Sequence, residues 1–147
     1  MIAEAKNKNE NPLAEFFTRD QYLSEEPVDL VVETGVVNYA NFDEEIAFAQ
    51  SVLKPGGLYL LSVAGTGSLH NLLKHEGDFN DFRSYGEYEK LLQEKFTVRK
   101  VRGCGFFVPL LWRLPVLARG VQSGIDSLAG NIFPGLCHEM VYLLEKK

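Results

Sequence analysis

The sequence has few cysteines, few histidines and no long apolar run. Two cysteines, Cys104 and Cys137, occur among 147 residues. They are too few for a disulfide-stapled secreted scaffold and match no paired metal-ligand spacing. Free thiols in a reducing cytoplasm are the economical interpretation, with one disulfide as the alternative. No stretch of about 18 consecutive apolar residues occurs, so no membrane-spanning helix is predicted.

Positive charge is also scarce, and it is unevenly placed. The chain has 15 Lys and Arg against 20 Asp and Glu, a formal charge of -5. Nucleic acid is therefore not an expected partner. Between Thr97 and Cys137, however, five basic residues face one acidic residue, Asp126, which gives a local net charge of +4 and leaves -9 elsewhere. The basic residues are Arg99, Lys100, Arg102, Arg113 and Arg119. The sequence thus joins an acidic body to a basic, apolar late segment.

The first half of the chain has the pattern of an α/β fold. Leu13–Thr18 predicts a strand that ends at Arg19-Asp20, and the β-branched run Val28–Val32 predicts a second, buried strand. Asn41 with Glu44 predicts a capped helix start, and Pro55-Gly56-Gly57 predicts its end at a turn that admits positive φ. Leu58–Val63 predicts the next strand. Strand, helix and strand with short connections form a parallel βαβ unit with a right-handed crossover.

The second half is patterned less regularly. Ser84 with Glu87 predicts another capped helix, and Thr97–Arg102 predicts a strand. Pro109 and Pro115 prevent one continuous helix over the region that follows, where Val116–Leu128 is weakly helical. Met140–Leu144 predicts a terminal strand. No repeat or low-complexity tract occurs.

Two stretches in the first half resemble a known family. Val28–Tyr39, the helix after it and Leu53–Val63 resemble the second half of class I S-adenosylmethionine (SAM)-dependent methyltransferases. In that family a strand of the type fDlVv leads through a substrate-side loop and a helix into LKPGG, and this chain has VDLVV and LKPGG in the same order and spacing. The register holds from about Met1 to Thr66. The resemblance implies a three-layer, Rossmann-like sheet with a late antiparallel strand pair.

The same resemblance implies that part of the family's domain is missing. The glycine-rich cofactor loop and the acidic end of the second strand have no counterpart, and Met1–Lys6 resembles the helix that follows them. Residues 1–147 are then a partial methyltransferase domain without its first two strands, and 97–137 is a strand plus a lid-like insertion. The Val28 strand would become an exposed sheet edge, which soluble proteins avoid. We expect the chain to be a fragment, inactive alone, or to complete its sheet as a homo-oligomer or with a complementing N-terminal segment.

Cofactor contacts follow from the resemblance residue by residue. Asp20 matches the acidic residue that accepts a hydrogen bond from the adenine amino group, and Gln21 would offer its backbone N–H to the ring. Alternatively, Asp20 caps the turn after its strand. Glu33, Thr34 and Gly35 occupy the place beside the methionine part of SAM, where glycine permits close backbone approach.

On the substrate side the sequence departs from the family. Many members have a leucine, an acid and a histidine where this chain has Val37, Asn38 and Tyr39. A neutral amide cannot accept a proton and a phenol is a weak base, so Asn38 and Tyr39 are predicted to orient substrate by hydrogen bonding. His70 could also reach a substrate, although an exposed loop position is the preferred interpretation. No catalytic base is assigned and no metal site is predicted.

The stretch Phe106–Leu117 is apolar and includes Trp112 and Arg113. Its place between the last two strands resembles an insertion that some small-molecule methyltransferases use as a lid or wall over the acceptor pocket. This predicts an apolar or lipid-like acceptor, met at a membrane surface through the +4 charge. The alternative is a second packing cluster that buries Trp112.

The sequence therefore predicts SAM-dependent methyl transfer to a small, apolar or lipid-like molecule by the complete protein. One alternative is a catalytically inactive half-domain that serves as a partner or dimerisation subunit. A dinucleotide-linked oxidoreductase fits less well, because a late β-hairpin stands where a second mononucleotide-binding half would be. The identity of the acceptor atom is left open.

Overall fold

A computed structural model describes residues 26–68, 81–106 and 115–147, with isolated positions at 8, 11, 14, 15, 22, 108 and 113. These ranges form one mixed sheet with helices. The strands are β1 (Val28–Glu33), β2 (Leu53–Ala64), β3 (Phe96–Phe106) and β4 (Cys137–Lys146). The helices are α1 (Phe42–Val52), α2 (Tyr85–Lys95) and α3 (Pro115–Ile132), with 3-10 turns at Val37–Tyr39 and Pro134–Leu136.

The strand order in the sheet is β1-β2-β4-β3. β1 and β2 run parallel, joined through α1, and β4 runs antiparallel to both β2 and β3. β4 thus inserts between β2 and β3, although it is last in sequence. The predicted α/β class, the βαβ unit and the late antiparallel pair are confirmed.

Both predicted helix starts have the expected caps. The Asn41 side chain accepts hydrogen bonds from the backbone N–H groups of Asp43 (3.1 Å) and Glu44 (3.3 Å). The Ser84 hydroxyl accepts from Glu87 N (3.4 Å), and the Glu87 carboxylate accepts from Ser84 N (2.8 Å), which closes a capping box. These contacts satisfy N–H groups that a helix start leaves without an intrahelical partner.

Several element bounds differ from the predictions. β2 begins at Leu53, directly after α1, so Pro55-Gly56-Gly57 forms an irregularity within the start of β2 instead of a separate turn. Gly56 does adopt the expected positive φ, 74°. β3 and β4 are longer than predicted, because ladder pairing continues past the apolar runs. α3 is one continuous 18-residue helix rather than a weakly helical piece, with Pro115 at its first turn, where proline is tolerated.

The core lies on the face of the sheet that α1 and α2 cover. Tyr59 and Leu61 of β2 and Tyr142 and Leu144 of β4 are fully buried there. Phe42, Ile46 and Ala49 of α1, and Tyr88 and Leu92 of α2, pack against them. Alternate residues along each strand therefore share this face, as the period of two requires.

The other face of β1 is open in the part of the chain that the structure describes. Val28–Val32 has the composition of a strand buried on both faces, yet Leu30 is 52% and Val32 56% exposed. β2 is the one neighbour of β1 among the described residues. The predicted completion of the sheet by another segment or chain stays a prediction.

α3 lies against the end of β3. A Cβ atom at Gly130 would collide with the carbonyl oxygen of Gly103, so the helix approaches the strand closely because position 130 is glycine. Asp126 accepts a hydrogen bond from Phe106 N (2.8 Å), and Gln122 donates to Phe106 O (3.1 Å). These contacts fix one side of α3 to the sheet.

Some sequence predictions fall outside the described residues. Most of the predicted strand Leu13–Thr18 does, although Ala14 and Glu15 are described and are not in a strand. Most of the stretch Phe106–Leu117 also lies outside. In the described ranges, none of the helices combines the length and apolar character that crossing a membrane requires.

Candidate functional site

The carboxyl ends of β1 and β2 meet at one edge of the sheet. Parallel strands in open α/β sheets present their ligand sites at this edge. The loops that leave the two strands comprise residues 33–39 and 64–68, and we call them together the carboxyl edge. They contain five of the residues singled out in the sequence, namely Glu33, Thr34, Gly35, Asn38 and Tyr39.

Glu33 is held by a buried tyrosine. The Tyr59 hydroxyl donates to Glu33 Oε2 at 2.6 Å, and Tyr59 is fully buried in the core. Burial raises the pKa of Tyr59, and the hydrogen bond to Glu33 and the charges of Glu33 and Glu45 raise it further. The phenol therefore keeps its proton at any physiological pH and serves as a permanent donor to the carboxylate. The sequence did not predict this pair.

Gly35 turns the chain directly after β1. Its φ is 68°, a left-handed conformation that favours glycine, and its N–H donates to Ser62 Oγ at 2.9 Å. A Cβ at Gly35 would meet no heavy atom of the described residues within 4 Å. The loop is therefore anchored on one side to the buried Ser62 and open on the other. An open backbone next to a fixed carboxylate is a suitable place for a small ligand to approach.

Asn38 is buried, and its amide is used structurally. Oδ1 accepts from Ala64 N (2.8 Å) and Nδ2 donates to Ala64 O (2.8 Å), so the side chain pairs with the end of β2 as a neighbouring strand would. Nδ2 also lies 3.0 Å from Asp81 O and 3.1 Å from the Tyr88 hydroxyl. Asn38 thus ties the loop after β1 to β2 and α2. Its predicted role in orienting substrate stays a prediction.

A cluster of charged and aromatic residues lies next to the Asn38 side chain. The Tyr88 hydroxyl accepts from Arg83 N (3.1 Å) and is 3.2 Å from Asp81 Oδ1. Burial, as the largest cause, raises the pKa of Tyr88 to about 12. Arg83 forms ion pairs with Asp81 (2.8 Å) and Asp43 (3.1 Å), which hold the pKa of its guanidinium above the ordinary value.

Sequence reasoning missed this cluster because its members are far apart along the chain. Asn38 and Tyr88 are 50 positions apart, and Asp43 and Arg83 are 40 apart. One signal was present: Asn38 is a polar residue that directly follows the apolar pair Val36-Val37, and a buried polar side chain must find hydrogen-bond partners.

Gly65 closes the carboxyl edge on the side of α2. A Cβ at Gly65 would lie 2.6 Å from the ring of Tyr85, so a larger residue would displace that ring. The Tyr85 hydroxyl is 2.9 Å from the carbonyl oxygens of both Cys137 and His138. These two contacts join α2 to the start of β4. The loop after β2 thus packs against an aromatic side chain that is itself hydrogen-bonded to β4.

Two apolar side chains stand exposed at the carboxyl edge. Val36 is 54% and Tyr39 57% exposed, although Val37 and Asn38 between them are buried. The predicted site residues Asp20, Gln21, His70 and Trp112 lie outside the described residues. In the described ranges there is no group of three His, Cys, Asp or Glu side chains suited to a metal ion.

The fold is similar to that of solved SAM-dependent methyltransferases. One, from Thermotoga maritima, is named a possible histamine N-methyltransferase; it matches with a TM-score of 0.57 and 16% identity over 83% of this chain and 57% of its own. Another, from Archaeoglobus fulgidus, matches with a TM-score of 0.54 and 13% identity over 88% of this chain and 66% of its own. The chain thus spans less than two thirds of the length of either. No protein-family model and no curated protein sequence matches it.

At these identities the likeness concerns the fold. The described strands form the mixed sheet of the Rossmann-like methyltransferase fold, and they make up a partial domain. The carboxyl edge is the part of this sheet to which the sequence assigned the cofactor contacts.

Proposed function

We propose that this chain forms part of a SAM-dependent methyltransferase domain, which transfers a methyl group to a small, apolar or lipid-like acceptor. The observation that supports this best is the carboxyl edge itself. Gly35, with open space beside it, comes shortly after a carboxylate that accepts a hydrogen bond from a buried tyrosine. The fold is shared with SAM-dependent methyltransferases. The resemblance assigned Glu33, Thr34 and Gly35 to the methionine part of the cofactor.

The described residues at this edge fit the cofactor. The space beside Gly35 would admit the methionine part, with Glu33 and Thr34 as polar neighbours, while Asp20 and Gln21 are proposed for the adenine. When bound, SAM supplies a methyl group on a positively charged sulfur, already activated for displacement. The protein then has to position the acceptor in line with that bond and exclude competing water. A strong general base is not required for that task.

The proposed acceptor class follows from the exposed side chains. Val36 and Tyr39 stand more than half exposed beside Gly35, so an apolar acceptor could remove part of their surface from water. Asn38 would act as a positioning residue, because its amide sets the position of the backbone on which Val36 and Tyr39 lie. Transfer to oxygen, nitrogen, carbon or sulfur is equally compatible with this arrangement.

A titration followed by NMR tests the cofactor site even if binding is weak. Backbone amide spectra of the full chain would be recorded with increasing S-adenosylhomocysteine, the demethylated product of SAM. We expect shifts concentrated at the amides of residues 33–39 and 65–66, and none at Gly56 on the opposite end of β2. Gly35→Ala should weaken binding by about tenfold or more, because its methyl group occupies the open space.

Gly56→Ala is the matched control. Gly56 has φ 74°, close to the 68° of Gly35, and an added Cβ would likewise meet no described atom within 4 Å. Both variants therefore carry the same backbone strain, and they differ only in position. Shifts that avoid the carboxyl edge, or equal weakening by the two variants, would refute the assigned site.

The open edge of β1 supports a second candidate, a catalytically inactive subunit that completes its sheet with a partner. Leu30 and Val32 are more than half exposed on a strand with one described neighbour. On this alternative the titration gives no shifts at any concentration of S-adenosylhomocysteine, while the β1 amides shift on addition of the partner. The two outcomes separate an enzyme part from a binding module.

A further inference from the structure

Ser62 is a buried polar residue among apolar neighbours. It lies on β2, and its side chain is 2% exposed. Leu58 and Leu60 share its face of the strand, because alternate residues of a strand point the same way. Across the ladder between β2 and β4 it lies opposite Val141. A hydroxyl buried at such a position requires a hydrogen-bond partner.

One partner of this hydroxyl is the backbone of the loop after β1. The N–H of Gly35 donates to Ser62 Oγ at 2.9 Å. The ladder between β1 and β2 ends with Glu33 opposite Leu61, two residues before Gly35. A side chain of β2 therefore accepts a backbone N–H just past the point where the regular ladder stops. This contact sets the direction in which the chain leaves β1.

Gly35 is the residue of this loop for which such a contact matters most. It is exposed and has a φ of 68°. Glycine has more backbone freedom than any other residue, so ordering it costs the most conformational entropy. Glu33 before it and Asn38 after it are each held by hydrogen bonds to β2. The bond to Ser62 lies between these two anchors and restricts the glycine itself.

From this contact we propose that Ser62 is a positioning residue for the cofactor, an inference that rests on the proposed cofactor site beside Gly35. The Ser62 hydroxyl is buried and acts through Gly35. It engages the glycine N–H, so the ligand approaches the other side of the residue, where an added Cβ would meet no described atom within 4 Å. A loop that is already held in its binding conformation loses less freedom when the ligand binds, which raises affinity.

A matched pair of variants of the full chain separates the hydroxyl from its packing. Ser62→Thr and Ser62→Val both introduce a β-branched side chain, which suits a strand, and only Ser62→Thr keeps the hydroxyl. In the amide NMR titration, S-adenosylhomocysteine should bind Ser62→Val about fivefold to tenfold more weakly than Ser62→Thr, the effect of losing one ordinary hydrogen bond. In urea, Ser62→Val should be at least as stable as Ser62→Thr, because its buried side chain is entirely apolar.

Two further measurements cover the case in which neither larger side chain is accommodated. Ser62→Ala is smaller than the wild-type residue and should weaken binding of S-adenosylhomocysteine by the same factor relative to the wild type. Without ligand, the amide hydrogen of Gly35 should exchange with solvent about tenfold more slowly in the wild type than in Ser62→Ala, because only the wild type holds that hydrogen in a bond to the side chain.

The outcomes distinguish this inference from the proposed function. If the wild type shows no shifts with S-adenosylhomocysteine, the cofactor site is refuted and the positioning role falls with it. If the wild type binds and the Ser62 variants bind equally well, the cofactor site stands and Ser62 has no positioning role. The inference is also overturned if affinity falls in step with stability across the variants, since Ser62 then supports the fold alone.

Discussion

Large apolar residues are buried in one part of the molecule and exposed in another. On the sheet face under α1 and α2, large side chains such as Tyr59, Leu61 and Tyr142 are fully buried. On α3, Leu128 and Ile132 remain more than half exposed in a helix that is more apolar on average than α2. Free energy gained by removing apolar surface from water is therefore concentrated in the first part. Apolar composition alone does not identify the core.

Polar residues differ between the two parts in the same direction. The Asn38 amide is buried and pairs with Ala64, whereas the exposed Asn131 donates one hydrogen bond to Ser127 O within its own helix. A buried polar group without its partner costs far more than an exposed one, because water can replace only the exposed contact. The same residue type therefore supports the fold in one part and contributes little in the other.

Alkaline pH should unfold the part of the molecule in which the tyrosines are buried. Burial raises the pKa of Tyr59, Tyr85, Tyr88 and Tyr142, that of Tyr88 to about 12 from the ordinary 10.0. The folded state then holds its phenolic protons more tightly than the unfolded state. The stabilisation that Tyr88 contributes is fully present below pH 10 and is lost as pH rises through about 12, and that of the other three phenols is lost in the same direction. We expect the far-UV circular dichroism and the tyrosinate absorbance near 295 nm to change together.

Tyr142→Phe sharpens this prediction. Among the described residues, the Tyr142 hydroxyl makes one weak hydrogen bond, to the sulfur of Met140 at 3.8 Å, so its removal leaves the packing of the ring intact. The midpoint of alkaline unfolding should move to higher pH because one fewer buried phenol must ionise. Tyrosinate absorbance that rises well before the circular dichroism changes would contradict the assigned burial.

A leucine pair measures the difference between the two parts directly. Leu61→Ala should lower the free energy of unfolding by about 2–5 kcal/mol, through lost burial and the cavity left behind. Leu128→Ala, at a side chain that is 65% exposed, should change it by less than about 0.5 kcal/mol, since alanine favours the helix. Urea unfolding at equilibrium measures both. Equal losses would mean that α3 is as tightly packed as the sheet.

The features predicted correctly from the sequence are mostly local, and the late antiparallel strand pair is the exception. The caps at Asn41 and Ser84 depend on residues three positions apart, and the positive φ of Gly56 depends on the absence of a side chain at that position. Such signals are complete within a few positions of the sequence. The late antiparallel pair of β3 and β4 is a long-range property, and the resemblance to methyltransferases implied it where local pattern could not.

The missed features depend on contacts between distant residues. The Tyr59–Glu33 hydrogen bond joins positions 26 apart, and its formation depends on the register between β1 and β2. Within its own segment, Tyr59 resembles any aromatic residue of a strand, and Glu33 resembles any acidic residue at the end of a strand. α3 was predicted as weakly helical because its glycines and serines lower intrinsic helix propensity. Docking of Gly130 on Gly103 compensates for that propensity in the folded chain.

The smallest effect that still separates the two parts is expected at a pair of asparagines. Asn38→Ala leaves the N–H and carbonyl of Ala64 without their side-chain partner and should cost about 1–3 kcal/mol in the free energy of unfolding. Asn131→Ala removes one exposed contact and should stay within about 0.5 kcal/mol of the wild type. Thermal and urea unfolding of both variants measure the difference.

Asn38→Asp refines the asparagine comparison, because it keeps the shape and the oxygen that accepts from Ala64 N. It replaces the donating nitrogen with an oxygen that faces the carbonyls of Ala64 and Asp81. We expect it to be more destabilising than Asn38→Ala at neutral pH, since the new carboxylate is buried opposite two acceptors. Lowering the pH should recover part of the loss as the carboxyl takes up a proton and becomes a donor. If Asn38→Asp is as stable as the wild type at neutral pH, the amide nitrogen does not hold the two loops together.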